Sequence, residues 1–383
     1  MIFFGRPWLV ASLCFFSQIL NAQIDSSHLR ISLMTCSPGD ELYSTFGHTG
    51  IRIIDSPSHI DAVFNYGMFD DSDPYFYLKF TRGIMRYSVA AMTFPDFMQE
   101  YVDEKRSVTE QVLQLDYKEK MNLYNSLKEN LSPENRYYDY RFCKDNCTTR
   151  AGNIILKNVN RQVAIANVVT LGQTTYRQMI HQYLDSGNHS WDKFGIDLVL
   201  GSHLDEKVDN RQALFLPDYL MKAFDNAHTG SVNLVQAKTR ILLSGRKNEN
   251  ESFFLTPLSV FSLIAFVFIL LSFTGQKFLN LMDVLFYFLT GVFGLLIVTL
   301  WIIRVDDVCR NNLNILWAWP THLVMAFLIR KKASFVRFYF LVSAILAFLL
   351  LALWFWLPQQ LNPAFAPILL IIAWRGTLIS RKK

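Results

Sequence analysis

The chain has little cysteine, five residues in 383. That count excludes a small disulfide-stapled scaffold. Internal repeats and low-complexity tracts are absent, so solenoid and fibrous architectures are excluded as well. His181, His189 and His203 are scattered, with no tight ligand spacing of the H-E-x-x-H kind, and no metal is expected. No glycine-rich phosphate loop is present, and no cofactor is expected. Long apolar runs are missing between about residues 23 and 251, where the composition is that of an ordinary globular protein. From about residue 253 such runs dominate. The net charge of +5 comes largely from basic flanks of those runs, which argues against a nucleic-acid partner.

The two ends of the chain place it in a membrane. Arg6, an apolar stretch over 8–19 and the small-residue site Leu20-Asn21-Ala22 read as a cleaved export signal over 1–22. Apolar stretches at 253–273, 279–303, 313–328 and 336–357 are each long enough to cross a hydrocarbon core about 30 Å thick. A shorter fifth covers 364–374. Lys277, Arg330-Lys331-Lys332 and Arg381-Lys382-Lys383 flank these stretches, and positive charge marks the cytoplasmic side. The expected topology is a multi-pass protein of a bacterial inner membrane. Its soluble part is periplasmic and its C-terminus cytoplasmic. The expected domains are a signal peptide (1–22), a periplasmic domain (23–237), a polar linker (238–251) and a transmembrane bundle (252–383).

Within the soluble part, β-branched runs predict strands at 29–34 and 48–54, with another starting at 62–65. Further strands are expected at 87–93 and 108–115. Helical spacing covers 117–130, 148–159 and 174–184, and residues 195–227 read as mixed loop and helix. Ser56-Pro57-Ser58 breaks the second strand, so a hairpin brings His48 near Asn65. Residues 137–142 approach Asp145-Asn146-Cys147 as an extended segment, and the next helix starts there.

Cys147 therefore sits at a helix N-terminus. Free backbone N–H groups there favour a thiolate, the reactive form of cysteine, and can stabilise an oxyanion. Asp145 or Asn146 is suited to cap that helix. His48 is the candidate base, and Asn65 is placed to orient its imidazole. The alternative is a buried structural cysteine beside an ordinary histidine and a turn asparagine.

Three stretches resemble the Lnb-type N-terminal periplasmic domain: FGHTGIRI at 46–53, FNYGMF at 64–69 and DNCTTR at 145–150. TCSPGDELYSTFGHTG at 35–50 and FLPDYL at 215–220 extend the likeness. The order histidine-strand, polar strand residue, then Asn-Cys opening a helix is also similar to the permuted papain-like core of lecithin:retinol acyltransferase relatives. The resemblance implies an α+β fold, with an antiparallel sheet packed on the Cys147 helix and a bundle of about five transmembrane helices behind it. It also implies a membrane acyltransferase. A fatty acyl chain would move from a phospholipid, through a thioester on Cys147, to the α-amine of a diacylated lipoprotein's N-terminal cysteine. His48 would be the base. The third residue in those relatives is often histidine, whereas Asn65 stands at the matching place here, with His59 in the hairpin turn as runner-up.

Two other classes of function fit the same residues: a papain-like peptidase or amidase acting on cell-wall peptides, and a non-catalytic module binding envelope partners. Tyr43 and Ser44 are candidate oxyanion or substrate-binding partners. Asn314, Trp317 and His322 gather at the outer end of the third apolar run, as an interfacial belt or as the wall of a lipid groove. Cys36, Cys143 and Cys309 would all face an oxidising compartment; their connectivity is not readable from sequence, and a Cys36–Cys143 bridge is the expectation that would leave Cys147 free.

Overall fold

The computed structural model describes residues 28–41, 43–69, 72–244, 252–273 and 276–381. The export signal expected at 1–22 lies outside the described residues.

The first half is built on a seven-stranded antiparallel sheet of order β6-β4-β3-β2-β1-β5-β9. Strands β1 (Leu29–Cys36) and β2 (His48–Asp55) pair from Leu29↔Asp55 to Cys36↔His48. β3 (Ile60–Met68) pairs with β2 from Asp55↔Ile60 to Gly50↔Asn65. A short helix α1 (Phe76–Thr81) leads into β4 (Arg86–Thr93), α2 (Phe94–Asp103) and β5 (Val108–Leu113). Then follow α3 (Tyr117–Asn130), β6 (Tyr137–Asp139), α4 (Cys147–Asn158), α5 (Tyr176–Ser186), α6 (Ser190–Val199) and α7 (Pro217–Asp225). β7 (His228–Thr229) and β8 (Val232–Asn233) make a small hairpin before β9 (Val235–Leu242).

Strand side chains alternate faces, so this sheet has two cores. Ile31, Leu33, Ile51, Ile53, Phe64 and Tyr66 turn to one side and pack with Ala151, Ile154 and Ile155 of α4. Met34, Cys36 and Val63 turn to the other and pack with Phe97 and Tyr101 of α2. Asparagine and threonine start α4 by a reciprocal cap. Asn146 Oδ1 accepts from the Thr149 N–H at 2.8 Å, and Thr149 Oγ1 accepts from the Asn146 N–H at 2.8 Å. Asn146 Nδ2 also donates to the carbonyls of Phe142 (2.7 Å) and Phe215 (2.8 Å), fixing the approach loop and the stretch before α7 to this cap. Asp145, the other candidate cap, instead makes a two-pronged ion pair with Arg150, 2.7 Å on each side.

Two expectations are corrected here. Residues 238–242 are not linker: they belong to β9, which pairs with β5 over Leu113↔Val235 to Val108↔Leu242. Most of β9 is exposed, so its polar face hides its strand character. Residues 245–251 of that linker lie outside the described residues. The Cys36–Cys143 bridge does not form: both are free thiols. Cys36 packs on the α2 side of the sheet, whereas Cys143 packs among the residues around Tyr176 and Phe215.

The second half is helical: α8 (Pro257–Leu271), α9 (Gln276–Ile303), α10 (His322–Met325), α11 (Ser334–Ala352) and α12 (Phe365–Ser380). α9 (over Phe278–Ile303) and α11 are long and apolar enough to cross a bilayer, and α8 and α12 are shorter apolar helices. The third apolar run is broken. A 3-10 turn at Leu313–Leu316 is separated from α10 by a loop containing Pro320, which has no N–H for a continuous helix. This broken run descends along α9, with Ala318 against Gly294 and Leu323 against Gly291, where a side chain on either glycine would collide with the neighbouring backbone. Inside the bundle, Arg375 and Asp283 pair in two prongs of 2.7 Å, both buried, as an intramembrane charge requires.

A second buried network joins the halves. Arg177 of α5 reaches Asp197 of α6 at 2.7 Å and Asp205 at 3.0 Å, and His181 reaches Asp197 at 2.8 Å. From the bundle, Asn362 donates to Asp197 Oδ2 (2.9 Å), Asn314 to the Asp197 carbonyl (2.8 Å) and Asn312 to the Leu198 carbonyl (2.8 Å). Gly201 N–H donates to the Val308 carbonyl at 2.8 Å, an approach so close that a side chain there would strike the Arg310 backbone.

Candidate active site

The site forms where the β2–β3 pairing ends and α4 begins. His48 opens β2, and its Nε2 lies 3.0 Å from Asn65 Oδ1 on β3. Asn65 is buried and held by a weak second bond, Nδ2 to the Val63 carbonyl at 3.4 Å. An amide oxygen only accepts, so Nε2 carries the proton and Nδ1 is left for the thiol.

Cys147 is the first helical residue of α4, among the amides without an intrahelical acceptor. Its neighbour Thr148 is fully buried and bonds Thr49 Oγ1 at 3.0 Å, which pins the helix start to β2 directly beside His48. On the other side stands Gly67, with a positive φ of 86°, at the irregularity between Tyr66 and Met68 in the β3–β4 pairing. A Cβ on Gly67 would sit 3.4 Å from the Cys147 Cβ and 3.7 Å from Tyr140 Cε2. A side chain there would crowd both, in a backbone conformation that favours glycine.

Burial alone pushes the Cys147 thiol up. The charge and hydrogen bond of His48, the Thr49 N–H and the Thr148 hydroxyl reverse this, and the thiol ends below its ordinary value. Burial likewise pulls His48 down. The charge and hydrogen bond of Cys147 and the bond to Asn65 outweigh it, and the imidazole ends above its ordinary value. Both shifts run in the direction of a thiolate–imidazolium pair. The other soluble-domain thiols behave oppositely: burial pushes Cys36 and Cys143 each up to about 12. Tyr138 and Tyr140 flank the thiol, and burial, then the Cys147 charge, pushes both phenols up, so they stay neutral. The Arg150 guanidinium stacks 3.5 Å over the Tyr138 ring, closing that flank.

Chemically, this is a nucleophile, a base and an orienting amide in contact. Thr49, Thr148 and Gly67 complete it and are not evident from the sequence, although the first two directly follow His48 and Cys147. The remaining expected residues lie elsewhere. Ser44 gives its hydroxyl to the Glu41 carbonyl at 3.0 Å, bracing its own loop. Tyr43 is exposed and donates to Glu104 at 3.2 Å. His59 lies in the turn at the opposite end of the hairpin from His48. Asn314 and Trp317 are buried in the junction with α6, where Trp317 Nε1 donates to Asn314 Oδ1 at 3.0 Å. His322 is buried between Trp319 and Tyr287, with its Nδ1 2.8 Å from Tyr339 Oη. These three are packing groups of the bundle and its junction rather than the wall of an open groove.

Two family models match the chain. Residues 15–182 match the Lnb N-terminal periplasmic domain, and residues 248–383 match the Lnb transmembrane domain, a five-helix type. No curated protein and no solved structure matches it.

Proposed function

Because the chain belongs to the Lnb family, a membrane protein with a periplasmic soluble domain, we propose that it is a cysteine-dependent N-acyltransferase acting on lipoproteins. In this reading the soluble domain is a permuted papain-like catalytic core, the protein spans a bacterial inner membrane and the C-terminus is cytoplasmic. The observation that carries it is the contact of Cys147, His48 and Asn65 in a site joined rigidly to a membrane bundle.

The chemistry runs in two halves. The Cys147 thiolate attacks an ester carbonyl of a phospholipid. A C–S bond forms, the C–O ester bond breaks and the departing lysophospholipid alkoxide takes the proton held on His48 Nδ1. The Cys147 N–H, at the head of α4, faces the developing oxyanion. The neutral α-amine of a diacylated lipoprotein's N-terminal cysteine then attacks the thioester. His48 takes a proton from that amine as the C–N bond forms and the C–S bond breaks, which restores the thiolate. Asn65 keeps the imidazole in the tautomer and orientation that both halves need.

A peptidase or amidase would use the same pair. The buried junction favours the lipid reading: it fixes the site to the bundle, which a hydrolase of water-soluble peptides does not require. The test is the mass of a lipoprotein N-terminal peptide from cells with and without this chain. A loss of one acyl group without it is expected, and an unchanged acyl count overturns the proposal.

A further inference from the structure

Helix α1 has no buried residue. Tyr75, Tyr77, Leu78 and Phe80 are 63%, 80%, 56% and 47% exposed, side by side, with the Lys79–Asp73 ion pair beside them. Contiguous apolar exposure of this kind marks a surface that meets something apolar. Its height is fixed by the membrane helices. Arg304, just past the outer end of α9, donates from Nη1 to the carbonyls of Phe80 and Thr81, each at 3.3 Å. The Val305 N–H donates to the Arg82 carbonyl at 2.9 Å. Arg304 is itself held by Asp306 at 2.7 and 2.6 Å. Beside these bonds, Ile302 and Val305 continue the exposed apolar face of α9 toward α1. The patch is therefore continuous with a surface that lipid covers.

From α1 a row of aromatic rings leads inward. Ring centroids are 6.4 Å apart for Phe80 and Phe76, 5.5 Å for Phe76 and Phe69, 5.2 Å for Phe69 and Tyr87, and 4.5 Å for Tyr87 and Tyr140. Tyr140 and Cys147 then face each other across the bare Cα of Gly67. A methylene drawn from a bilayer into water is unfavourable, so an acyl chain that leaves the leaflet needs an apolar wall along its whole path.

We propose that α1 dips into the outer leaflet and that this aromatic row guides one acyl chain of a bilayer glycerophospholipid to Cys147. The position of α1 in the leaflet stands without any assumption about catalysis, whereas the guiding role rests on the acyl-transfer reading above.

The test uses the full chain in nanodiscs of phosphatidylethanolamine and phosphatidylglycerol. A nitroxide is placed through Tyr77→Cys and, as a control, through Ser58→Cys in the exposed turn between β2 and β3, each in a Cys147→Ala background so that the reactive native thiol takes no label. We expect the label at 77 to collide more with oxygen than with a water-soluble nickel chelate, and the label at 58 to do the reverse. A label at 77 as open to the chelate as that at 58 overturns the proposal, as it would if α1 met a periplasmic peptide instead. A second variant tests guidance out of the leaflet: Tyr77→Ser and Leu78→Ser together, both outside the aromatic row. Transfer from the bilayer donor should fall at least tenfold, while transfer from water-soluble dihexanoyl phosphatidylcholine and the melting temperature stay unchanged. Equal losses on both donors overturn guidance. If the unaltered chain uses neither donor, the acyl-transfer reading fails, and the nitroxide measurement alone decides where α1 lies.

Discussion

The histidine cluster of the junction and that of the candidate site are built differently. In the junction, His181 and Arg177 converge on Asp197, and both Asp197 carboxylate oxygens have partners. Asp197 and Arg177 are fully buried. Burial pushes the Asp197 carboxyl up, yet His181, Arg177 and Asn362 hold it below the usual carboxylate range. In the site, His48 has one amide partner and one thiol, and next to them Gly67 lets the β3 backbone come close to Cys147. A perturbed titration alone does not separate the two, since both clusters have one. What separates them is the kind of group that meets: the junction pairs charges that only hold one another, whereas the site pairs a nucleophile with a base.

Four substitutions sharpen that contrast. Cys147→Ala should abolish transfer with little change in melting temperature, because one small side chain replaces another; retained acyl transfer to a lipopeptide would refute the nucleophile. His48→Ala should slow turnover by about 10²–10⁴-fold, the usual contribution of a general base. Asp197→Asn in the junction should act on stability instead. Breaking a buried ion pair costs about 3–5 kcal/mol, visible in denaturant unfolding, while the alkylation rate of Cys147 in the folded protein stays as it was. Asn65→Ala should have the smallest effect, a loss of roughly tenfold for an orienting rather than a reacting group, if each 1.4 kcal/mol is tenfold.

The pH dependence follows from the signs. A lowered thiol keeps Cys147 ionised to lower pH than a free cysteine, and a raised imidazole keeps His48 charged to higher pH than a free histidine. Acylation should therefore fall on the acid side as Cys147 protonates and on the alkaline side as His48 loses its proton, the two limbs belonging to the pair. In His48→Ala only burial and the weaker donors remain, so the acid limb should move up, toward or beyond the ordinary thiol range. Iodoacetamide labelling of Cys147 across pH reads this directly. Cys36 and Cys143, pushed up to about 12, should stay unlabelled at neutral pH.

Two halves of the site were legible because each is local, whereas their meeting across 99 residues was readable only through the family resemblance. A Pro-containing turn between two β-branched runs brings His48 and Asn65 together, and Asn-Cys-Thr-Thr writes a helix start with its own cap. The α2 start is written just as locally, with Thr93 accepting from the Asp96 N–H and a proline in the first turn. The junction was not legible. Arg177, Asp197 and Asn362 are far apart in sequence, and a long-range ion pair leaves no periodic mark. β9 was hidden by its exposed polar residues, which read as linker until β5 pairs with them. The third apolar run had the length of a span but not its continuity, since hydropathy does not register the break near Pro320.

The most direct measurement is the mass of the Cys147 peptide after the purified chain has met phospholipid without an acceptor. The account predicts a hydroxylamine-labile acyl group on that thiol, discharged when a diacylated lipopeptide with a free N-terminal amine is added. An acyl group found on another residue, or lipopeptide acylated while the thiol stays bare throughout, would contradict it.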